Sequence, residues 1–114
     1  MKNLLKETIE ELERHGKTFE DIDWVGSSDG YIPLDTFKQL ADVEYHRGYG
    51  CQEVASDLII VGKDFYMTRE EYDGSEWWRY CALDLFKKPV NELKVTKLVG
   101  GTWDSLKELQ ERED

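Results

Sequence analysis

Three side chains carry nucleophilic or metal-binding chemistry by type: His46, Cys51 and Cys81. A thiol beside an imidazole makes a nucleophile with its base, and the three together are donors that suit zinc. Their spacing forms no CxxC or other close ligand pattern, so no catalytic, cofactor-binding or metal-binding residue is assigned. Two free thiols in a reducing cytosol is the preferred reading, and His15, at the end of a predicted helix, is accounted for by the helix dipole. The 25 acids guarantee that some carboxylate pair lies close enough for acid–base work, and that abundance strips any one pair of meaning. Gly48-Tyr49-Gly50 and Gly26-Ser27-Ser28-Asp29-Gly30 are turn glycines. Neither leads from a strand into a capped helix with a lysine, and acids surround both. A calcium loop opening at Asp29 fails because Tyr31, two residues on, offers the ion no carboxylate or amide oxygen.

What remains chemically distinctive is charge. The formal net charge is -10, which argues against direct phosphate contact with nucleic acid and points to basic proteins as partners. Residues 1–17 are neutral, with four acids against four bases. Between Thr18 and Asp57 nine acids (Glu20, Asp21, Asp23, Asp29, Asp35, Asp42, Glu44, Glu53, Asp57) face two bases, Lys38 and Arg47. An acidic surface belongs there, and Asp21, Asp23, Asp29, Asp42, Glu44 and Glu53 are its candidate partner-binding residues.

The elements that would position these groups are organised around DLIIVGKDFYMTREEYDGSEWWRYCAL, residues 57–83. Asp73-Gly74 between Tyr72 and Ser75 is a two-residue hairpin signal, and Gly62-Lys63 fits a type II′ turn. The stretch therefore reads as a three-stranded antiparallel meander in which Val61 faces Asp64 and Tyr72 faces Ser75. Period-two alternation then puts Leu58, Ile60, Phe65, Met67, Trp78, Tyr80 and Ala82 on one face. Ile59, Val61, Tyr66, Thr68, Trp77, Arg79 and Cys81 lie on the other. Helices should bury the first face and leave the second half-covered. Trp77 and Trp78 point to opposite faces, so the ring of Trp77 needs a helix, a loop or a partner over it. Tyr66, Tyr72 and Trp77 share that second face as candidate partner-binding aromatics.

Around the meander, residues 2–15 place Leu5, Ile9 and Leu12 at helical spacing with Leu4 beside them, and Gly16 stops the helix. Thr18 caps a short helical turn, and Phe19, Ile22 and Trp24 anchor an irregular stretch to the core. Asp35 caps a middle helix ending near Ala41, with Phe37, Leu40 and Ala41 on its apolar side. Gln52 to Ala55 form a further helical turn. Beyond Pro89, VNELKVTKLVG supplies a fourth strand with Val95, Leu98 and Val99 inward, and Thr102 or Asp104 caps a last helix facing Leu106 and Leu109 to the core. The expected fold is one α+β domain over residues 1–114, a meander of three to four strands packed by N-terminal, middle and C-terminal helices. Aromatic content of 12% is too high for an acidic disordered chain. Met1-Lys2 leads into a charged helix with no apolar leader and no run long enough to span a bilayer, which predicts a cytoplasmic protein.

GYGCQEVASDLIIVG and EYDGSEWWRY, preceded by PLDTFKQLADVEY, resemble small uncharacterised phage and prophage proteins of Gram-positive bacteria. The resemblance covers residues 33–80 and is carried by turn glycines, core apolars and tryptophan. It implies a mobile element and a host-cell cytosol, and it carries over no catalytic residues. The expected function is an anti-CRISPR-type inhibitor, an acidic DNA mimic on the basic nucleic-acid-binding surface of a type II CRISPR effector nuclease, with no enzymatic activity or cofactor. The alternative is an accessory module that self-associates, as a homodimer, or binds a protein partner through the aromatic sheet face. A third reading, a small hydrolase or metal enzyme, would rest on His46 and Cys51.

Overall fold

Alternation of apolar and polar side chains along both strands builds the longest hairpin, β6 (Tyr66–Tyr72) against β7 (Ser75–Cys81), with Tyr72 opposite Ser75 and Tyr66 opposite Cys81. The computed structural model describes residues 2–45, 52–72, 75–82 and 88–111, so the predicted Asp73-Gly74 turn itself lies outside the described residues. On the other side of β6 runs β5 (Ile59–Gly62). There the register differs by one residue on each strand from the sequence expectation: Val61 pairs with Tyr66, and the Gly62 N–H donates to the Phe65 carbonyl at 2.8 Å. The two turn residues are Lys63 and Asp64. Gly62 is needed in the strand because the Phe65 ring lies on it, and a Cβ there would stand 2.0 Å from Cε1 of that ring. A slip of one residue on both strands preserves parity, so the predicted faces survive. Gly62→Ala is expected to cost about 1–3 kcal/mol through this overpacking. Urea denaturation checks it, and an unchanged midpoint would contradict the role given to Gly62.

The meander is the larger part of a five-stranded antiparallel sheet, completed by a hairpin of β2 (Ile22–Ser27) and β3 (Gly30–Ile32) in the order β3-β2-β5-β6-β7. The stretch expected to be irregular thus holds a central strand. Its alternation is interrupted by a bulge between Ile22 and Trp24, and the sequence pattern loses its period there. One sheet face carries Val25, Ile32, Leu58, Ile60, Phe65, Met67 and Trp78 into the main core. The opposite face gathers a smaller cluster of Trp24, Ile59 and Val61, with Tyr31 and Tyr66 against it.

Two helices cover the main face. In α1 (Leu4–Arg14) the Asn3 side chain accepts the Lys6 N–H at 2.9 Å, and the helix stops before Gly16 at φ 72°. Its buried face holds Leu4, Glu7, Thr8 and Leu12, turned from the expected stripe so that Leu5 and Ile9 are half-buried. The middle helix, α2 (Leu34–Ala41), starts after Pro33 without a side-chain cap, and Asp35 sits in its first turn instead of capping it. Phe37 and Ala41 are buried there. Between the two helices Thr18 and Asp21 form a reciprocal capping box around a 3-10 turn, Phe19–Asp21. A two-stranded ribbon pairs β1 (Lys2–Asn3) with β4 (Glu44–Tyr45).

The rest of the chain seals edges. Asn91 accepts the Tyr31 N–H at 2.7 Å and the Leu93 N–H donates to Tyr31 at 2.8 Å, which satisfies the outer edge of β3. Residues 98–103 run along 52–55, with Ala55 to Leu98 at 2.9 Å and Trp103 to Gln52 at 3.0 Å. The predicted fourth strand appears among the described residues only as single bridges at Glu92 and Val99, although Val95 and Leu98 are buried and Val99 packs on the core. Gln52 to Ala55 hold a single bridge, Val54 with Val99, where a helical turn was expected, and their backbone bonds to residues 98–103. Ser105 caps α3 (Leu106–Glu111), exchanging bonds with Glu108, in place of Thr102 or Asp104. Asp57 adds a second acceptor, receiving the Leu106 N–H at 2.8 Å. Helices at the beginning, middle and end around an antiparallel sheet make the fold α+β. No helix of the described residues is long and apolar enough to cross a membrane.

Candidate functional site

Alternation places Arg69 on the buried face beside Met67, where a guanidinium must be neutralised or the strand cannot close. Its side chain is 0% exposed. Glu76, also 0% exposed, lies 3.1 Å from it, and Glu7 of α1 lies 3.4 Å away. The Tyr45 hydroxyl donates to Glu7 and accepts from Arg69 at 3.1 Å, while the guanidinium lies over the Trp78 ring at 4.8 Å. Glu76 also accepts the Glu53 and Val54 N–H groups at 2.7 and 3.2 Å. The cluster thus ties α1, β4, β6, β7 and the chain at 52–54 together. Burial pushes the Glu76 carboxyl up, against the opposing pull of those N–H groups and Arg69. Burial likewise raises the Tyr45 phenol far above its ordinary value. Carboxylates so buried and paired hold the fold together. The signal for this cluster was in the sequence, in an arginine and a glutamate at inward parity on paired strands.

The acids singled out by sequence are dispersed. Asp21 spends its carboxylate on the Thr18 N–H at 2.8 Å. Asp23 is exposed at the β2 bulge, and Asp42 and Glu44 are exposed between α2 and the ribbon, Asp42 accepting the Asn3 amide at 3.0 Å. The 3-10 turn that carries Glu20 meets α2, which carries Asp35 in its first turn, through Lys38 over the Phe19 ring at 4.8 Å, and Lys88 lines a small hollow together with Asp23. Asp29 belongs elsewhere, in the β2–β3 turn at the opposite end of β2, where its charge raises the Asp57 carboxyl that burial has already raised. Glu53 is half-buried beside Glu76. Among the described residues Glu20, Asp23, Asp35, Asp42 and Glu44 enter no ion pair, whereas Lys2, Arg14, Lys17, Arg69 and Lys94 are all engaged by other carboxylates.

The aromatics are placed as their parity requires. Tyr66, Tyr72 and Trp77 all lie on the outer sheet face, but Tyr66 joins the Trp24 cluster while Tyr72 is 76% exposed and Trp77 39% exposed. Tyr72 faces Ser75 and Trp77 faces Glu70, which makes the two rings diagonal neighbours at the last strand of the sheet. No family model, curated protein or solved structure matches the chain. Two hollows flank this strand system. One, of about 270 Å³ on the outer face, is lined by Trp24, Ile59, Thr68, Ser28, Ser56 and Asp57. The other, of about 280 Å³, lies between β7 and the Glu7, Glu10, Glu11 and Arg14 stripe of α1, with Lys2, Trp77 and Trp78 in its lining.

His46 and Cys51 lie outside the described residues. Cys81 is half-buried opposite Tyr66, whose phenol its thiol raises by hydrogen bonding. Among the described residues no group of three or more His, Cys, Asp or Glu side chains is arranged to hold a metal ion.

Proposed function

We propose that this chain is a non-enzymatic inhibitor of the anti-CRISPR kind. Its acidic flank would engage the basic, nucleic-acid-binding surface of a type II CRISPR effector nuclease in the host cytoplasm. The observation that carries the reading is the set of exposed carboxylates, Glu20, Asp23, Asp35, Asp42 and Glu44, which enter no ion pair among the described residues, while Lys38 is drawn onto Phe19. Unneutralised carboxylates on a rigid surface offer lysine and arginine grooves what a phosphate backbone offers, with fast and salt-sensitive association. The Asp21 carboxylate contributes indirectly, by holding the turn that presents Glu20 and Asp23.

Asp23→Asn, Asp42→Asn and Glu44→Gln combined should weaken binding to such a nuclease at least about tenfold and flatten its salt dependence. Competition against target DNA at two salt concentrations measures this, with circular dichroism confirming the fold. Full inhibition by the triple variant would sink the reading.

A second reading is favoured by a separate observation, the exposure of Tyr72 and Trp77 together on adjacent strands. Aromatic anchors of this kind are typical of protein interfaces, and on this reading the chain associates through its sheet.

A further inference from the structure

From the geometry of β7 we infer that two copies of this chain pair edge to edge, β7 against β7, in an antiparallel two-fold arrangement centred on Trp78. β7 is seven residues long and terminal in the sheet. None of its backbone groups bonds to any element but β6 among the described residues. It holds no proline and no lysine, and its pairing with β6 runs without a bulge; its inward charge, Glu76, is already neutralised by Arg69 within the fold, and Arg79 is its one outward charge, so proline, lysine and bulge are all absent from this edge. The opposite edge, β3, is closed by residues 91–93. The contrast leaves β7 as the open template.

The groove marks the same place. Trp77 and Trp78 point to opposite faces of the strand, yet both line the hollow beside α1. A hollow touched by both must lie at the strand's free edge. Its wall presents no single-sign field to a second copy, because Lys2 is paired with Glu10 and Arg14 with Glu11.

The occupant is specified by the strand's own sequence. In the two-fold register centred on Trp78, residue 77 of one copy faces residue 79 of the other, and this occurs twice. Trp77 would therefore face the second copy's Arg79 on the outer sheet face at both ends of the pairing. Arg79 is exposed and enters no ion pair among the described residues. Guanidinium over indole is an attractive cross-strand contact, and it covers the ring that this fold leaves open. Such an interface is isologous, with the same patch on both copies.

The test uses the full chain alone, by sedimentation over a wide concentration range at low and high salt. A dimer is expected, and it should tighten with salt because each copy carries a net charge of -10 and screening relieves their repulsion. This is opposite in sign to binding through the acidic flank. Trp77→Lys, which sets like charges opposite each other, should weaken the dimer by about tenfold or more, and Arg79→Glu should weaken it as well. Both changes together place a lysine opposite a glutamate across the two-fold and should restore most of the affinity. A wild-type chain that stays monomeric at every concentration and salt would overturn the proposal. So would a dimer indifferent to Trp77→Lys, or one that the double change fails to restore. Because no nuclease is present, failure here leaves the acidic-flank reading standing, and failure of that reading leaves this one.

Discussion

Arg69→Ala is expected to lower the unfolding free energy by about 3–5 kcal/mol at neutral pH, because it leaves buried carboxylates without their counter-charge. Against a total of about 5–15 kcal/mol for a domain of this kind, that brings the variant close to unfolding. The origin of the loss is separable from lost volume. Without the guanidinium, the Glu76 carboxyl, already raised by burial, rises further. A carboxyl whose folded pKa is raised contributes stability that is present below the unfolded value and lost as pH rises through the folded one. The deficit of Arg69→Ala should therefore be largest near pH 8 and shrink toward pH 5. Arg69→Met restores much of the volume and none of the charge, so its deficit should follow the same pH course. Urea denaturation across pH 5–8 reads both. A deficit that does not change with pH would mean that packing, not charge, is what Arg69 supplies.

The same residue illustrates what the sequence made legible. Parity along Tyr66–Tyr72 assigned Met67 to the core face, and the identical rule assigns Arg69 and, across the hairpin, Glu76. An inward arginine needs inward acids. What parity could not supply was Glu7: helix α1 reads from its leucines as facing Leu5, Ile9 and Leu12, whereas in the fold it buries Glu7 and Thr8, with Glu7 bonded to Arg69 and Tyr45. Thr8 then accepts the Trp78 indole N–H at 2.9 Å. Tertiary need overrode the local apolar stripe.

Strands β2 and β3 were illegible for a different reason. Trp24 and Val25 are both buried, on opposite faces of a central strand, so no alternation marks them, and the bulge and Gly26 interrupt what pattern there is. The fourth strand was overread because Val95, Leu98 and Val99 are apolar for core contact while their backbone bonds elsewhere or singly. Of the candidate sites, the shared face of Tyr66, Tyr72 and Trp77 followed from period two alone. The gathering of some acids and dispersal of others did not, since proximity in sequence says little about which end of β2 a turn occupies.

Raising the pH above 10 should unfold the protein steeply, and Tyr45 should account for a definable part of the slope. Its phenol is raised mainly by burial, with its bond to Glu7 adding to the shift and Arg69 opposing it. In the unfolded chain a tyrosine loses its proton near pH 10, while the folded state keeps it. The unfolded state then binds fewer protons, so stability falls with pH by about 1.4 kcal/mol per unit for this one group. Tyr80, raised by burial, and Lys17, raised by its bond to Asp64, act with the same sign. Tyr45→Phe forfeits the hydroxyl bonds to Glu7 and Arg69 and should cost about 1–2 kcal/mol at pH 7. Above pH 10 its stability should decline more gently by that one proton, so the two curves converge and then cross near pH 11. Denaturation at pH 7, 9, 10 and 11 tests this. Parallel curves would mean that Tyr45 ionises in the folded protein as freely as in the unfolded chain, and that the Arg69 cluster is open to water.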